Sequence, residues 1–504
     1  MVMPAVVQPH PHSRTESRLP NIDRMAAALA MCIVAATTAL RLRWLLAWPF
    51  PIGRDGYYYV LQVRSLLAHG VPYYPTAFQW PLWFMAGCSW LTRDSVVGIK
   101  AAIAAAFAGV LICAFLLVRE ITGLAALGLV SVALLVASPL RDYFLAEFSA
   151  NLVAIAATTA AVWLVAKAEH RPTRGRIAAA AVTTAAAAAS HPSALIVLAI
   201  ILPSDWVLRR FRKVRSLRRS QMLDLVLAVS TVIAIGILCL PNASTWLTVE
   251  FKLVPAPTLL PYSFWPEALI LLLTCAVLLV RCRRIDENAT IVGQHRQLLL
   301  GIVVAVGFTA LNPWARYDTG LTGTMERLGL WSWLFVAILV PAALVSLDYR
   351  GRQGAVAVGL IVCAALAALV PRSATGATDP YLADRMALKS DLSLLRRSVP
   401  DNSLVVAEHG TEFMVTAETG LRAESHPSSG GAISPMRYWL IRTVGLRTAD
   451  LPRKNAVFLS QWAAIREDEL FRWLAKLSRD QRRTLAVQNR LLIGPLSLRW
   501  RKAG

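Results

Sequence analysis

Eleven apolar runs divide this chain, at about 25–40, 97–118, 122–138, 149–166, 177–190, 193–207, 224–241, 267–281, 298–312, 331–347 and 355–371. Most are close to the roughly 20 residues a helix needs to cross the hydrocarbon core of a bilayer. A backbone in lipid must satisfy its own hydrogen bonds, so runs of this length read as transmembrane helices. Composition agrees: 56% of residues are hydrophobic and 16% charged, against about 25% charged in a soluble domain. The predicted fold class is an all-α polytopic membrane core of about 11 transmembrane helices. A small α/β extracytoplasmic C-terminal domain follows it.

Loops set the expected orientation. "KAEHRPTRGR" (167–176), "RRFRKVRSLRR" (209–219), "RCRR" (281–284) and "DYRGR" (348–352) are strongly basic, and the alternate loops are not. Basic loops stay cytoplasmic. Residues 1–24 are therefore expected as a polar cytoplasmic tail and 25–371 as the membrane core. Residues 372–504 form the extracytoplasmic domain, in which "SLVVAEH", "NAVFLSQW" and "RLLIGPLSL" read as extended. Basic loops flank both ends of 177–207, which requires an even number of crossings. The break is expected at "SHPS" (190–193), because Pro192 ends a regular helix. The polar first 20 residues predict no cleavable signal peptide, and the first apolar run would be an uncleaved anchor. The expected location is the plasma (inner) membrane.

The net charge of +22 lies mostly in short inter-helix loops, which argues against a nucleic-acid partner. The seven cysteines show no CxxC or other metal-ligand spacing, so no metal site is predicted. They read as small packing residues.

Chemistry concentrates in the first external loop, 41–96. "PFPIGRDGYYYVLQVRSLLAHG" (49–70) places Asp55 at the foot of a helix over 57–68 whose apolar residues suit the interface plane. Trp80, Trp83 and Trp90 follow as an aromatic belt. The plainer role for Asp55 is a helix N-cap. The two roles are compatible, since a capped carboxylate is also a positioned one.

With Arg41 and Arg43 ahead of it, this stretch resembles the first external loop of the GT-C superfamily of membrane glycosyltransferases, which use polyprenyl-phosphate sugars. Protein mannosyltransferases and aminoarabinose transferases, of the family 39/83 type, are the members it is most like. The resemblance is specific over about 41–74. It implies an Asp general base, an N-inside core and an extracytoplasmic tail. Asp55 stands between Arg54 and Gly56, where the mannosyltransferases usually show two adjacent acids. The WWDYG signature of oligosaccharyltransferase is absent, which argues against transfer to asparagine.

By the same resemblance, the second loop, "SPLRDYFLAEFSAN" (138–151), would add Asp142 and Glu147 near the active site. Their plainer reading is a solvated cluster beside Arg141. In "NPWARYDTGLTGTMERLGLW" (312–331), Arg316, Tyr317 and Arg327 would face the donor, because a planar guanidinium matches phosphate oxygens. Simple flanking charge is the alternative. Tyr57, Tyr58 and Arg54 would bind substrate. His191 is a weaker candidate, a short-loop His that is more often incidental.

The leading reading is an inverting glycosyltransferase. It would move a sugar from a polyprenyl-phosphate donor to a cell-envelope glycan, lipid or protein acceptor on the extracytoplasmic side. No Gly-rich nucleotide-binding loop occurs, which fits a lipid donor rather than a nucleotide cofactor. A divalent cation such as Mg2+ or Mn2+ is left open as cofactor. The runner-up is a transporter or flippase of a lipid-linked or small solute. Against it stand the scarcity of charges inside the runs and the lack of repeated halves. A structural envelope scaffold is a third class, which an outer cleft floored by Asp55 would argue against.

Overall fold

The computed structural model describes residues 19–53, 55–74, 76, 78–138, 149–211, 265–282, 295–310 and 331–346. In the tail it describes 389, 392, 393, 396, 404–407, 411–425, 456–459, 490–494 and 497–501. The helices are α1 (Leu19–Leu46), α2 (Gly56–His69), α3 (Trp80–Thr92), α4 (Ser95–Thr122), α5 (Ala125–Ala137), α6 (Ser149–His170), α7 (Arg174–Ala188), α8 (Pro192–Phe211), α9 (Trp265–Cys282), α10 (Arg296–Ala310), α11 (Ser332–Ser346) and α12 (Thr411–Thr419). The strands are β1 (Leu404–Ala407), β2 (Arg422–Ser425), β3 (Ala456–Leu459), β4 (Arg490–Gly494) and β5 (Ser497–Arg501).

Nine of the apolar runs fall among the described residues, and all nine are helical. The runs at 224–241 and 355–371 lie outside the described residues. Three described helices, Asp23–Leu46, Ser95–Thr122 and Ser149–His170, are long and apolar enough to cross a membrane. α5 and parts of α8 to α11 are shorter apolar helices.

Local chemistry sets the helix ends. Asp94 starts α4 by accepting from the N–H groups of Val96 (2.7 Å) and Val97 (2.9 Å). Thr122 ends it, with Gly123 left-handed at φ 73°. α7 stops at Ala188 and α8 begins at Pro192, so the chain breaks within "SHPS". Pro suits the first helical position because its missing N–H would have had no partner there.

The core is built around α4. α1, α3, α5, α6 and α11 pack against it. Phe107 of α4 stacks on Trp333 of α11 with ring planes 3° apart. The Trp333 indole N–H donates to the Leu135 carbonyl at 3.0 Å, so this buried polar atom is satisfied. α3 crosses α4 where Gly98 meets Ser89; a Cβ on Gly98 would lie 2.2 Å from the Ser89 Cα. Only glycine permits that approach.

α3 departs from the sequence expectation. Residues 73–90 read as an aromatic belt, and 80–92 are in fact a helix that opens with Pro81 in its first turn. Trp80, Trp83 and Trp90 remain exposed on it.

The tail strands form one sheet in the order β2-β1-β3-β4-β5. The first four run parallel and β5 returns antiparallel to β4. β1, β3 and β4 fall within the stretches read as extended, and β5 begins at the end of the last of them and runs on to Arg501. "DRMALKSDLSLLRRSV" (384–399) and "REDELFRWLAKLSRDQRRTLAVQN" (466–489) read as helical in the sequence and lie almost wholly outside the described residues. α12 links β1 to β2 and packs on α2 of the first loop.

Candidate active site

The loop before α2 folds back because its apolar residues bury. Phe50 and Ile52 are enclosed, and Trp48 lies against Phe50 with ring centroids 5.8 Å apart. Buried Lys100 of α4 donates to the Trp48 carbonyl at 2.5 Å and so anchors the end of α1. A Cβ on Gly56 would come within 3.0 Å of Pro51, which is why the turn into α2 is spelled with glycine. Gly70 ends α2 in the left-handed conformation, its N–H donating to the Leu66 carbonyl at 3.0 Å.

Asp55 occupies the N-cap position of α2, half-buried. Its side chain accepts no capping hydrogen bond, and its backbone is αR rather than extended. The plainer role considered for it therefore has no counterpart in the geometry. Its negative charge acts on the neighbouring Tyr58.

The three tyrosines point in three directions, because successive residues turn by about 100° around a helix. Tyr57 is fully buried, and its hydroxyl donates to Glu418 Oε1 of α12 at 2.8 Å. Tyr59 is buried on another side, where its hydroxyl accepts from the Ala150 N–H of α6 at 3.4 Å. Tyr58 is half-buried between them. It stacks on Tyr74 at 6.0 Å and meets Phe413 edge-on at 5.3 Å. Tyr74 also meets Phe413, at 5.7 Å. Burial pushes the Tyr58 phenol above its usual range; the Gln62 hydrogen bond pulls against that rise and the Asp55 charge adds to it.

Gln62 was not singled out in the sequence, yet it organises the loop. It is fully buried. Its amide donates to the Tyr58 hydroxyl at 2.7 Å and to the Tyr74 carbonyl at 3.1 Å, and its Oε1 accepts from the Tyr74 N–H at 2.9 Å. Arg64, exposed two residues on, donates to the Ala417 carbonyl of α12 (2.9 Å) and to Ser95 Oγ of α4 (3.1 Å). The only sequence signal for Gln62 was a polar residue among apolar ones on a helix. Glu418 and Phe413 had none, since their partners lie more than 300 residues away.

α2 is more enclosed by protein than its apolar pattern alone implied. Tyr57, Tyr59, Val60, Leu61, Gln62, Val63 and Leu66 are all buried, so α2 is enclosed on several sides by α3, α4 and α12. Leu67 is exposed.

Asp142 and Glu147, and also Arg54, Arg316, Tyr317 and Arg327, lie outside the described residues. After Glu147 in the chain, Ala150, in the first turn of α6, is a described residue with a contact to α2: its N–H donates to the Tyr59 hydroxyl. His191 is buried at the start of α8. Its Nδ1 accepts from the Ser193 N–H (3.1 Å) and lies 2.9 Å from Ser193 Oγ. That is a helix-start bond, local to the break between α7 and α8.

Solved structures share this fold. The crystal structure of ArnT from Cupriavidus metallidurans bound to undecaprenyl phosphate superposes with a TM-score of 0.52 at 11% identity, over 84% of this chain and 88% of that one. The apo state of ArnT gives 0.50 at 11% identity, over 83% and 89%. At this identity the likeness is one of fold. No protein-family model and no curated protein matches the chain.

Proposed function

We propose that this chain is an integral-membrane inverting glycosyltransferase whose donor is a polyprenyl-phosphate-linked sugar. The observation that carries the reading is Asp55: a half-buried carboxylate at the head of α2, beside the aromatic cluster of Tyr58, Tyr74 and Phe413, in a fold shared with a protein crystallised with undecaprenyl phosphate.

In this reading Asp55 takes the proton of an acceptor hydroxyl. The acceptor oxygen attacks the anomeric carbon, and the bond from that carbon to the lipid phosphate breaks. The phosphate leaves with the bonding electron pair, and Arg316 or Arg327 stabilises its charge. Asp142 and Glu147 precede Ala150, whose N–H meets the Tyr59 hydroxyl, and we assign them to acceptor contact. Tyr57 and Tyr58 shape the wall next to Asp55, and Arg54 flanks it.

The remaining parts of the proposal are an eleven-span core with a cytoplasmic N-terminus and an extracytoplasmic α/β tail at the plasma (inner) membrane. The acceptor is a cell-envelope glycan, lipid or protein. Sugars of the mannose and aminoarabinose type suit the family resemblance.

The test is incubation of membranes containing the protein with a panel of labelled polyprenyl-phosphate sugars. Transfer of one label to a new product, abolished by Asp55→Asn, is the expected result. If every donor keeps its sugar, and undecaprenyl phosphate leaves the unfolding temperature of the protein unmoved, the reading fails. Passage of labelled lipid across the bilayer with its sugar intact would favour a flippase instead.

A further inference from the structure

The tail touches the first loop through one face of α12. Phe413, Ala417 and Glu418 recur at helical spacing and meet Tyr58, Arg64 and Tyr57 of α2. Glu418 is the charged member. It accepts from the Tyr57 hydroxyl at 2.8 Å and lies 3.5 Å from the Lys389 ammonium. Tyr57 stands two residues after Asp55, inside the same first turn.

We infer that Glu418 is a positioning residue for Asp55. The inference rests on the reading of Asp55 as base and adds how that base is held. The Asp55 side chain makes no cap to the N–H groups of its own helix. The turn that carries it is gripped from α12 through Tyr57. The Tyr57 ring is fully enclosed, and Glu418 fixes its far end. A hydrogen bond to a charged acceptor is stronger than one between neutral groups, and it aims the ring along one direction. Glu418 acts through Tyr57 and not on the substrate. Small misplacements of a reacting group carry large costs in rate.

The experiment compares Glu418→Ala, Glu418→Gln, Tyr57→Phe and the Tyr57→Phe/Glu418→Ala pair in the full-length protein. Either single loss of the bond should lower kcat for transfer about 10-fold, the low end for a charged hydrogen bond. KM for the donor should stay within about twofold, because the bond serves orientation and not binding. The pair should be no worse than either single variant, since both remove one interaction. Glu418→Gln should recover most of the rate, because its amide oxygen still accepts from Tyr57. A second measurement needs no turnover: modification of Asp55→Cys by a maleimide, read on the peptide carrying residue 55. It should quicken about 10-fold in the Glu418→Ala background and stay slow with Glu418→Gln. Additive losses, a Gln variant as poor as the Ala variant, or a labelling rate indifferent to Glu418 would each overturn the inference. If the unaltered protein transfers no sugar, the glycosyltransferase reading falls and the labelling rates decide the positioning role alone.

Discussion

Gln62 grips both backbone groups of Tyr74, accepting from its N–H at 2.9 Å and donating to its carbonyl at 3.1 Å. The loop after α2 is thereby laid back along the helix, and Tyr74 is held where it can stack on Tyr58. Gln62→Leu keeps much of the volume and removes three hydrogen bonds at once. Unsatisfied buried groups cost about 1–3 kcal/mol each, so a loss of about 2–4 kcal/mol is expected. Thermal unfolding of the purified protein in detergent measures it. An unchanged unfolding temperature would mean that the loop is held by other contacts.

Asp55→Asn gives a sharper separation of roles. Asp55 makes no side-chain bond to the N–H groups of α2, so the neutral amide forfeits no cap there. Expression and unfolding temperature should match the unaltered protein. Transfer should drop at least about 100-fold, the low end of what a general base contributes. A stable Asp55→Asn protein with full transfer activity would remove Asp55 from the mechanism.

Tyr58 supplies a pH dependence. Burial raises its pKa above the ordinary 10.0, the Asp55 charge adds to this, and the Gln62 bond opposes it. A folded-state value raised above the unfolded one gives stability that is whole below the unfolded pKa. That stability is lost as pH climbs through the folded value. Unfolding temperature should therefore fall as pH climbs past the ordinary tyrosine value of 10.0. The fall should be shallower in Tyr58→Phe, although that variant starts lower because Gln62 has lost an acceptor. Parallel slopes in the two proteins would exclude Tyr58 as the source.

Sidedness can be read at two described positions. Val71, exposed just past α2, belongs to the proposed outer surface, and Gly175, in the first turn of α7, to the inner one. An impermeant thiol reagent applied to intact cells should label Val71→Cys and leave Gly175→Cys untouched, each scored against the background of the seven native cysteines. Equal labelling of both would sink the proposed topology.

The helices were legible because lipid imposes one rule on every crossing: an apolar run of fixed length. The break at Pro192 and the glycine that ends α2 were legible too, since each is a local conformational demand. α3 was hidden, because its three tryptophans signalled an aromatic belt and a belt has no stated backbone. The enclosure of α2 was hidden for a different reason. A periodicity reports which face is apolar and is silent on how many partners arrive. Asp55 stood out as a charge beside an apolar run. Glu418 did not, because a residue in a polar tail announces nothing about a tyrosine 361 positions earlier.

That separation has a consequence in time. Chains grow at about 5–20 residues per second. Tyr57 therefore leaves the ribosome roughly 20 to 70 seconds before Glu418, by the same rate. The sheet that carries α12 needs longer still, because β3 and β4 come after α12 in the chain and pair in parallel. The membrane helices can be inserted while the first loop still lacks its α12 contacts. If Asp55 is the proposed base, the newborn protein thus passes through a stage in which the base is present but not yet aimed. Activity, on this account, begins with the last strand rather than with the first helix.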